Sequence, residues 1–174
     1  VQRFSGMSLK DEFAALLPGR NHEYDIHQIR YEKYFRLGML VGAGEVAPMP
    51  GAIDLVSRLV KHRFSLAIGS ASRVFFIRTV LDALNIEHHF DALVGGDMVA
   101  KVKPAPDIFL KAAELLGVEP RACVVIEDGR AGMEAARCAG MKCIGFVSDK
   151  GGSYPTLHLV TSLLEITPEM IHNL

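Results

Sequence analysis

The sequence has almost no net charge: nineteen basic residues against twenty acidic ones leave a formal value of -1 over 174 residues. With no whole-molecule field of either sign, neither nucleic acid nor an anionic membrane is favoured as a partner, and any anion must be held by a local arrangement of groups. Cysteine is scarce as well. Cys123, Cys138 and Cys143 are odd in number, show no Cys-x-x-Cys spacing and fall in or beside apolar runs. They read as buried small hydrophobes in a reducing compartment, not as metal ligands or a disulfide framework. No apolar run approaches the roughly 18 residues that a membrane helix needs. The N-terminus also lacks the basic stretch and apolar core of a secretory signal, so a cytoplasmic location is expected. Methionine is missing at position 1, where Val1 stands, and the expectation is a sequence with its start removed.

What is present, 49% hydrophobic and 22% charged residues, suits one soluble domain with a small appendage. The first part of the chain has apolar positions at helical spacing and no strand-like run. Leu9, Phe13, Ala14 and Leu17 predict one amphipathic helix, closed by Pro18-Gly19, and Ile26, Ile29, Tyr34, Leu37 and Leu40 predict a second. Gly42-Ala43-Gly44 and Pro48-Met49-Pro50-Gly51 then punctuate the chain as a hinge or linker, which divides it into residues 1–47 and 48–174.

From Gly51 onward helical segments alternate with short apolar strands, the pattern of a parallel sheet wrapped by helices. Helical faces are expected at Ile53 to Val60, Val74 to Leu84, Ile108 to Leu116 and Met133 to Ala139. Strands are expected at Phe64 to Gly69, Phe90 to Val94, Ala122 to Ile126, Lys142 to Val147 and Leu157 to Val160. Ligands in such open α/β sheets sit at the carboxyl ends of the strands, so the polar residues there are the candidates for function.

Three such places stand out. The strand ending at Gly69 runs into Ser70-Ala71-Ser72-Arg73 and then a helix, a natural anion cradle of a hydroxyl and backbone N–H groups; alternatively Ser70 or Ser72 only caps the helix. In Lys103-Pro104-Ala105-Pro106-Asp107 two prolines fix the backbone beside one lysine and aim its ammonium group, unless it is a solvated loop lysine before a helix. The strand ending at Ile126 delivers Glu127-Asp128, two adjacent carboxylates of the kind that hold magnesium together with water and a substrate phosphate. Asp128 could instead be a helix N-cap.

Their order in the chain resembles the second, third and fourth motifs of the haloacid dehalogenase superfamily. The likeness covers essentially the whole chain and is close to the β-phosphoglucomutase-like branch, which shares the Lys-Pro-Ala-Pro-Asp-Ile-Phe run seen at Lys103 to Phe109. The resemblance implies a Rossmann-like parallel sheet flanked by helices (residues 48–174) and a partial helical cap (residues 1–47) with a Phe-x-Gly-x-Ser stretch at Phe4 to Ser8. Carried over by motif, Ser70 and the Ala71 N–H would hold the phosphoryl oxygens, and Lys103 would neutralise charge between phosphate and nucleophile. Asp128 would bind Mg2+ directly, and Glu127 would bind or orient that metal shell. Ser72 and Arg73 match positions that touch substrate in some relatives, and Gly6, Ser8 and Lys10 would face it from the cap.

Two departures qualify the resemblance. The family's first motif, Asp-x-Asp-x-Thr after an apolar strand, supplies the nucleophilic and acid/base aspartates, and no such string occurs in these residues; it is expected upstream, on a strand lying between those that end at Ser70 and Asp128. Gly129 stands where the family commonly has serine, which loosens one hydrogen bond and leaves the metal chemistry intact. The implied activity is a Mg2+-dependent phosphatase acting on a small-molecule phosphate ester such as a sugar phosphate, through an aspartyl-phosphate. A β-phosphoglucomutase-type mutase shares every motif, but it has an arginine directly after the cap's Gly-x-Ser, where this chain has Leu9 followed by Lys10. A truncated, non-catalytic phosphate-binding relative is the third reading. A dehalogenase needs no metal, so Glu127-Asp128 speaks against it. A signalling receiver module places its acidic residues before its lysine and has no cap.

Overall fold

A computed structural model describes residues 25–174. The helix expected at Leu9 to Leu17 and the cap positions Gly6, Ser8 and Lys10 lie outside the described residues. The second helix of the N-terminal part is present as α1 (Ile26–Gly42). Val41 is buried and Tyr34 and Leu37 are half-buried, whereas Tyr31, Phe35 and Met39 are exposed. Residues 45–49 are irregular, and a left-handed Gly51 opens α2 (Ala52–Lys61).

The core alternates as the periodicity predicts: β1 (Ala67–Gly69), α3 (Val74–Ala83), β2 (Ala92–Val94), α4 (Asp107–Leu116), β3 (Val124–Glu127), α5 (Arg130–Cys138), β4 (Lys142–Phe146), β5 (His158–Val160) and a short α6 (Pro168–His172). All strand pairs are parallel, with Ala67 opposite Ala92, Val124 opposite Lys142 and Ile144 opposite His158. Parallel strands need cover on both faces, and helices supply it. On one face Ile108, Phe109 and Ala112 of α4 and Met133 and Ala136 of α5 pack on Val94, Val125 and Cys143. On the other, Leu55 and Leu59 of α2 pack with Ile144, Val160 and Ile166. Ile108, Met133 and Ile144 are fully buried, and burial of such side chains contributes about 1.5–3 kcal/mol each.

The strands form two hydrogen-bonded groups, β1-β2 and β3-β4-β5. Among the described residues the remaining edges of β1 and β3 have no strand partner. Yet Leu66, just before β1, packs in the same apolar layer as Val124 and Ile126, and Ala67 packs against the layer that holds Val125. The two edges therefore share their apolar cover on both sides.

β1, β2, β3 and β5 all begin later than their apolar runs predict, and at β1 and β3 the cause is visible. At Leu66 the Asp91 side chain takes the backbone N–H at 2.9 Å, in place of a ladder carbonyl, so regular pairing starts at Ala67. Before β3, Pro120–Ala122 closes a 3₁₀ turn that delays the strand to Val124. The cysteines also need correction. Cys143 is buried and Cys123 half-buried, but Cys138 is exposed, because it ends α5 on the solvent side, where its Sγ lies 3.6 Å from Glu134 Oε1. No helix among the described residues is long and apolar enough to cross a membrane.

Candidate active site

The carboxyl ends of β1 and β3 meet around one side chain. Lys103 is 6% exposed, and its Nζ donates to the Gly69 carbonyl at 3.1 Å and to Glu127 Oε2 at 2.6 Å. It also stands 4.7 Å above the Phe109 ring, a cation–π contact. The solvated-loop alternative for Lys103 is thereby excluded. The two prolines that follow carry the chain into α4, whose Ile108 and Phe109 anchor it in the core. A lysine tail buried this deeply needs a counter-charge, and Glu127, at the end of the buried strand β3, supplies it.

Glu127 has both carboxylate oxygens engaged, Oε2 by Lys103 and Oε1 by the Gly129 N–H at 3.0 Å. Cys143, on the neighbouring strand, feels the same pair: burial pushes its thiol up to about 12, with the Glu127 charge adding and Lys103 opposing. At that value it stays a neutral thiol.

Glu127 can lie flat on α5 only because residue 132 has no side chain. A Cβ built on Gly132 would meet Glu127 Cδ and Oε2 at 2.1 Å. Gly132→Ala is therefore expected to drive the carboxylate off Lys103 and lower stability by about 1–3 kcal/mol, the usual effect of overpacking a filled interior. Urea unfolding of parent and variant measures it, and an unchanged midpoint would mean that Glu127 has somewhere else to go. In the sequence the signal for this role is a glycine five positions after a strand-end acid, inside a helix.

The loop after β1 is fixed from several sides. Ser70 N–H donates to the Val94 carbonyl at 2.9 Å, and the Ser70 hydroxyl accepts the Ser72 N–H at 3.1 Å, which leaves its own hydrogen to donate. Gly96 N–H donates to the Ser72 carbonyl at 2.8 Å, and a Cβ at Gly96 would meet the Ala71 carbonyl oxygen at 2.5 Å. Asp97 Oδ1 takes the Val74 N–H at 3.0 Å, and its other oxygen lies 3.6 Å from Arg73 Nε. Neither serine caps α3, whose N-cap is Arg73 with no side-chain cap. Ser70, Ala71 and Ser72 are half-buried and Arg73 is exposed.

Asp128 follows Glu127 directly and is exposed. It is not the cap of α5; Gly129 is, again without a side-chain bond. As a hard anionic oxygen donor at a strand end it fits one ligand position of a magnesium ion, which accepts one or two carboxylates with water and phosphate. Glu127 already accepts one bond on each oxygen, which fixes its carboxylate beside Asp128 and suits it to orienting the metal shell. No cluster of three or more His, Cys, Asp or Glu side chains able to hold a metal exists among the described residues.

Parallel strands wrapped by helices, with Ser70 at the carboxyl end of β1 and Glu127-Asp128 at that of β3 and Lys103 bonded to both strand ends, make a Rossmann-like α/β architecture. The haloacid dehalogenase-like hydrolase family model matches residues 5–140, and the chain belongs to that family. Among its relatives, the fructose-1-phosphate phosphatase YqaB of Escherichia coli (strain K12) is 36% identical over 131 residues, covering 75% of this chain and 68% of the relative. The β-phosphoglucomutase of Bacillus subtilis (strain 168) is 35% identical over 127 residues, 71% of this chain and 54% of the relative. The solved structure of CbbY from Rhodobacter sphaeroides in complex with phosphate superposes with a TM-score of 0.82 at 27% identity, over 95% of this chain and 78% of that one. The chain spans about half the length of several curated relatives that it matches. These relatives include a sugar-phosphate phosphatase and a phosphomutase.

Proposed function

We propose that this chain is part of a Mg2+-dependent, cytoplasmic phosphatase that hydrolyses a small phosphorylated metabolite, a sugar phosphate being the best fit, through an aspartyl-phosphate. The observation that carries the reading is the buried Lys103 ammonium, held between the Gly69 carbonyl and Glu127 at the mouth of the Ser70 loop. It is a fixed positive charge where phosphoryl oxygens would gather. Phosphoryl transfer asks a protein chiefly for positioning and charge neutralisation, and these residues are equipped for both.

In this mechanism the Ser70 hydroxyl and the Ala71 N–H bind the phosphoryl oxygens, Lys103 balances their charge, and Glu127 keeps Lys103 in place. Asp128 would hold the magnesium ion, which supplies further neutralisation of the phosphate. The nucleophile is an aspartate that these residues do not contain, on a strand that would fill the space between the unpartnered edges of β1 and β3. Its carboxylate attacks phosphorus in line while the ester P–O bond breaks. The leaving oxygen takes a proton from the companion aspartate of that motif, and water then attacks the aspartyl-phosphate to release inorganic phosphate. α1 and the residues before it would form the cap over the substrate, with Gly6, Ser8 and Lys10 on its substrate side and Ser72 and Arg73 facing them from the core.

A phosphomutase is the second reading, favoured by the similarity to the Bacillus enzyme and weakened by Leu9 at the place of the second-phosphate arginine. Full-length protein incubated with β-glucose 1-phosphate and a trace of the bisphosphate, and separately with fructose 1-phosphate, separates the two. The expected result is magnesium-dependent release of inorganic phosphate without glucose 6-phosphate. Isomer formation without release would establish the mutase, and no turnover of any phosphomonoester would leave a non-catalytic relative.

A further inference from the structure

We propose that Tyr34 is a positioning residue that couples α1 to the Ser70–Arg73 loop, so that the seat of the cap-side helix sets how well the loop binds phosphate. The inference rests on the phosphatase reading and adds to it a residue that none of the motifs marks. Tyr34 is half-buried on α1, and its ring packs edge-on against Phe75 at 5.4 Å and tilted against Phe76 at 5.2 Å, both in the first turn of α3. From that seat its hydroxyl accepts the Arg73 backbone N–H at 3.1 Å. Among the described residues of α1 it is the one whose side chain is hydrogen-bonded to the loop.

The path from there to the phosphate position is short. Arg73 adjoins Ser72, and the Ser72 N–H holds the Ser70 hydroxyl at 3.1 Å. Two of the donors at the start of α3 are consumed, Arg73 N–H by Tyr34 and Val74 N–H by Asp97. An anion is thereby directed away from the helix start and toward the Ser70 hydroxyl and the Ala71 N–H, for which the described residues provide no acceptor. Tyr34 thus fixes the far end of the loop while Gly96 and Asp97 fix its flank. If α1 shifts, the Arg73 N–H loses its partner and the loop loses one of its restraints.

Tyr34→Phe in the full-length protein removes the acceptor and keeps the ring; Tyr34→Ala removes both. For Tyr34→Phe the melting temperature is expected to stay close to that of the parent. KM for the phosphomonoester and the inhibition constant of inorganic phosphate should rise about three- to tenfold, the worth of one neutral hydrogen bond, with kcat within about twofold. Amide exchange at Arg73 and Ser72 should quicken in the same variant. Tyr34→Ala should show larger shifts in KM and exchange together with a lower melting temperature. Unchanged KM and phosphate inhibition in Tyr34→Phe overturn the proposal. Should the parent release no phosphate at all, the phosphatase reading fails separately, and the exchange measurement still decides: faster Ser72 exchange in Tyr34→Phe keeps the coupling, and an unchanged rate ends it.

Discussion

Lys103→Met is expected to abolish phosphate release and to destabilise the fold by about 3–5 kcal/mol, because it strands the buried Glu127 carboxylate without its counter-charge. The pair is enclosed, with side-chain exposures of 6% and 8%, so water cannot take over the role of the lysine. A collapse of activity in the single variant could therefore come from lost catalysis or from a damaged fold. The double variant Lys103→Met, Glu127→Leu tells them apart. Replacing both members of a buried ion pair by apolar groups of similar size is often neutral, but here the Gly129 N–H loses its acceptor and the Gly69 carbonyl loses the Lys103 donor, at about 1–3 kcal/mol for a group left unsatisfied. The double variant should recover part of the lost stability in urea unfolding and remain inactive. Recovery of phosphate release along with stability would show that Lys103 is a structural residue and would remove it from the mechanism.

The alternation of helices and strands was legible in the sequence because parallel strands buried on both faces read as plain apolar runs, as at Val124 to Ile126, and because the helices between them carry buried positions three and four apart, as Leu55 and Leu59 do. Motif residues far apart in sequence were legible by type and order: Lys103 and Glu127 do meet. Their mutual bond is not legible, since a separation of 24 residues carries no periodic signal and each motif by itself points to a different partner, the lysine to phosphate and the acid to metal. Local bonds that use side chains were missed as well. Ser162 and Glu165 form a capping box on a 3₁₀ turn, and Thr167 caps α6 ahead of Pro168; both Ser-x-x-Glu and Thr-Pro are start signals that the apolar scan passed over. Tyr34 was read as one apolar position in a helical stripe. Nothing in a stripe distinguishes a ring that only packs from one whose hydroxyl reaches a neighbouring loop.

Asp128→Asn should leave stability nearly unchanged and lower the magnesium-dependent rate by at least about 10²–10³-fold, the range found when one group that stabilises developing charge is removed. The two halves of that expectation have separate causes. The side chain is exposed and does not cap α5, and Asn keeps its shape, so the folded state loses little. What changes is one full negative charge on an oxygen at the strand end, next to a Glu127 held in place by Lys103 and the Gly129 N–H. Asp128 is the more exposed carboxylate of the acidic pair, and a neutral amide oxygen binds magnesium far less well than a carboxylate. Glu127→Gln is expected to behave in the opposite way, losing stability through the broken ion pair as well as activity. Titrating magnesium in both variants separates the roles: Asp128→Asn should need a much higher concentration for any residual rate, whereas Glu127→Gln should keep a metal dependence nearer that of the parent at a lower maximal rate. Parent-like turnover and metal dependence in Asp128→Asn would take magnesium away from this end of β3.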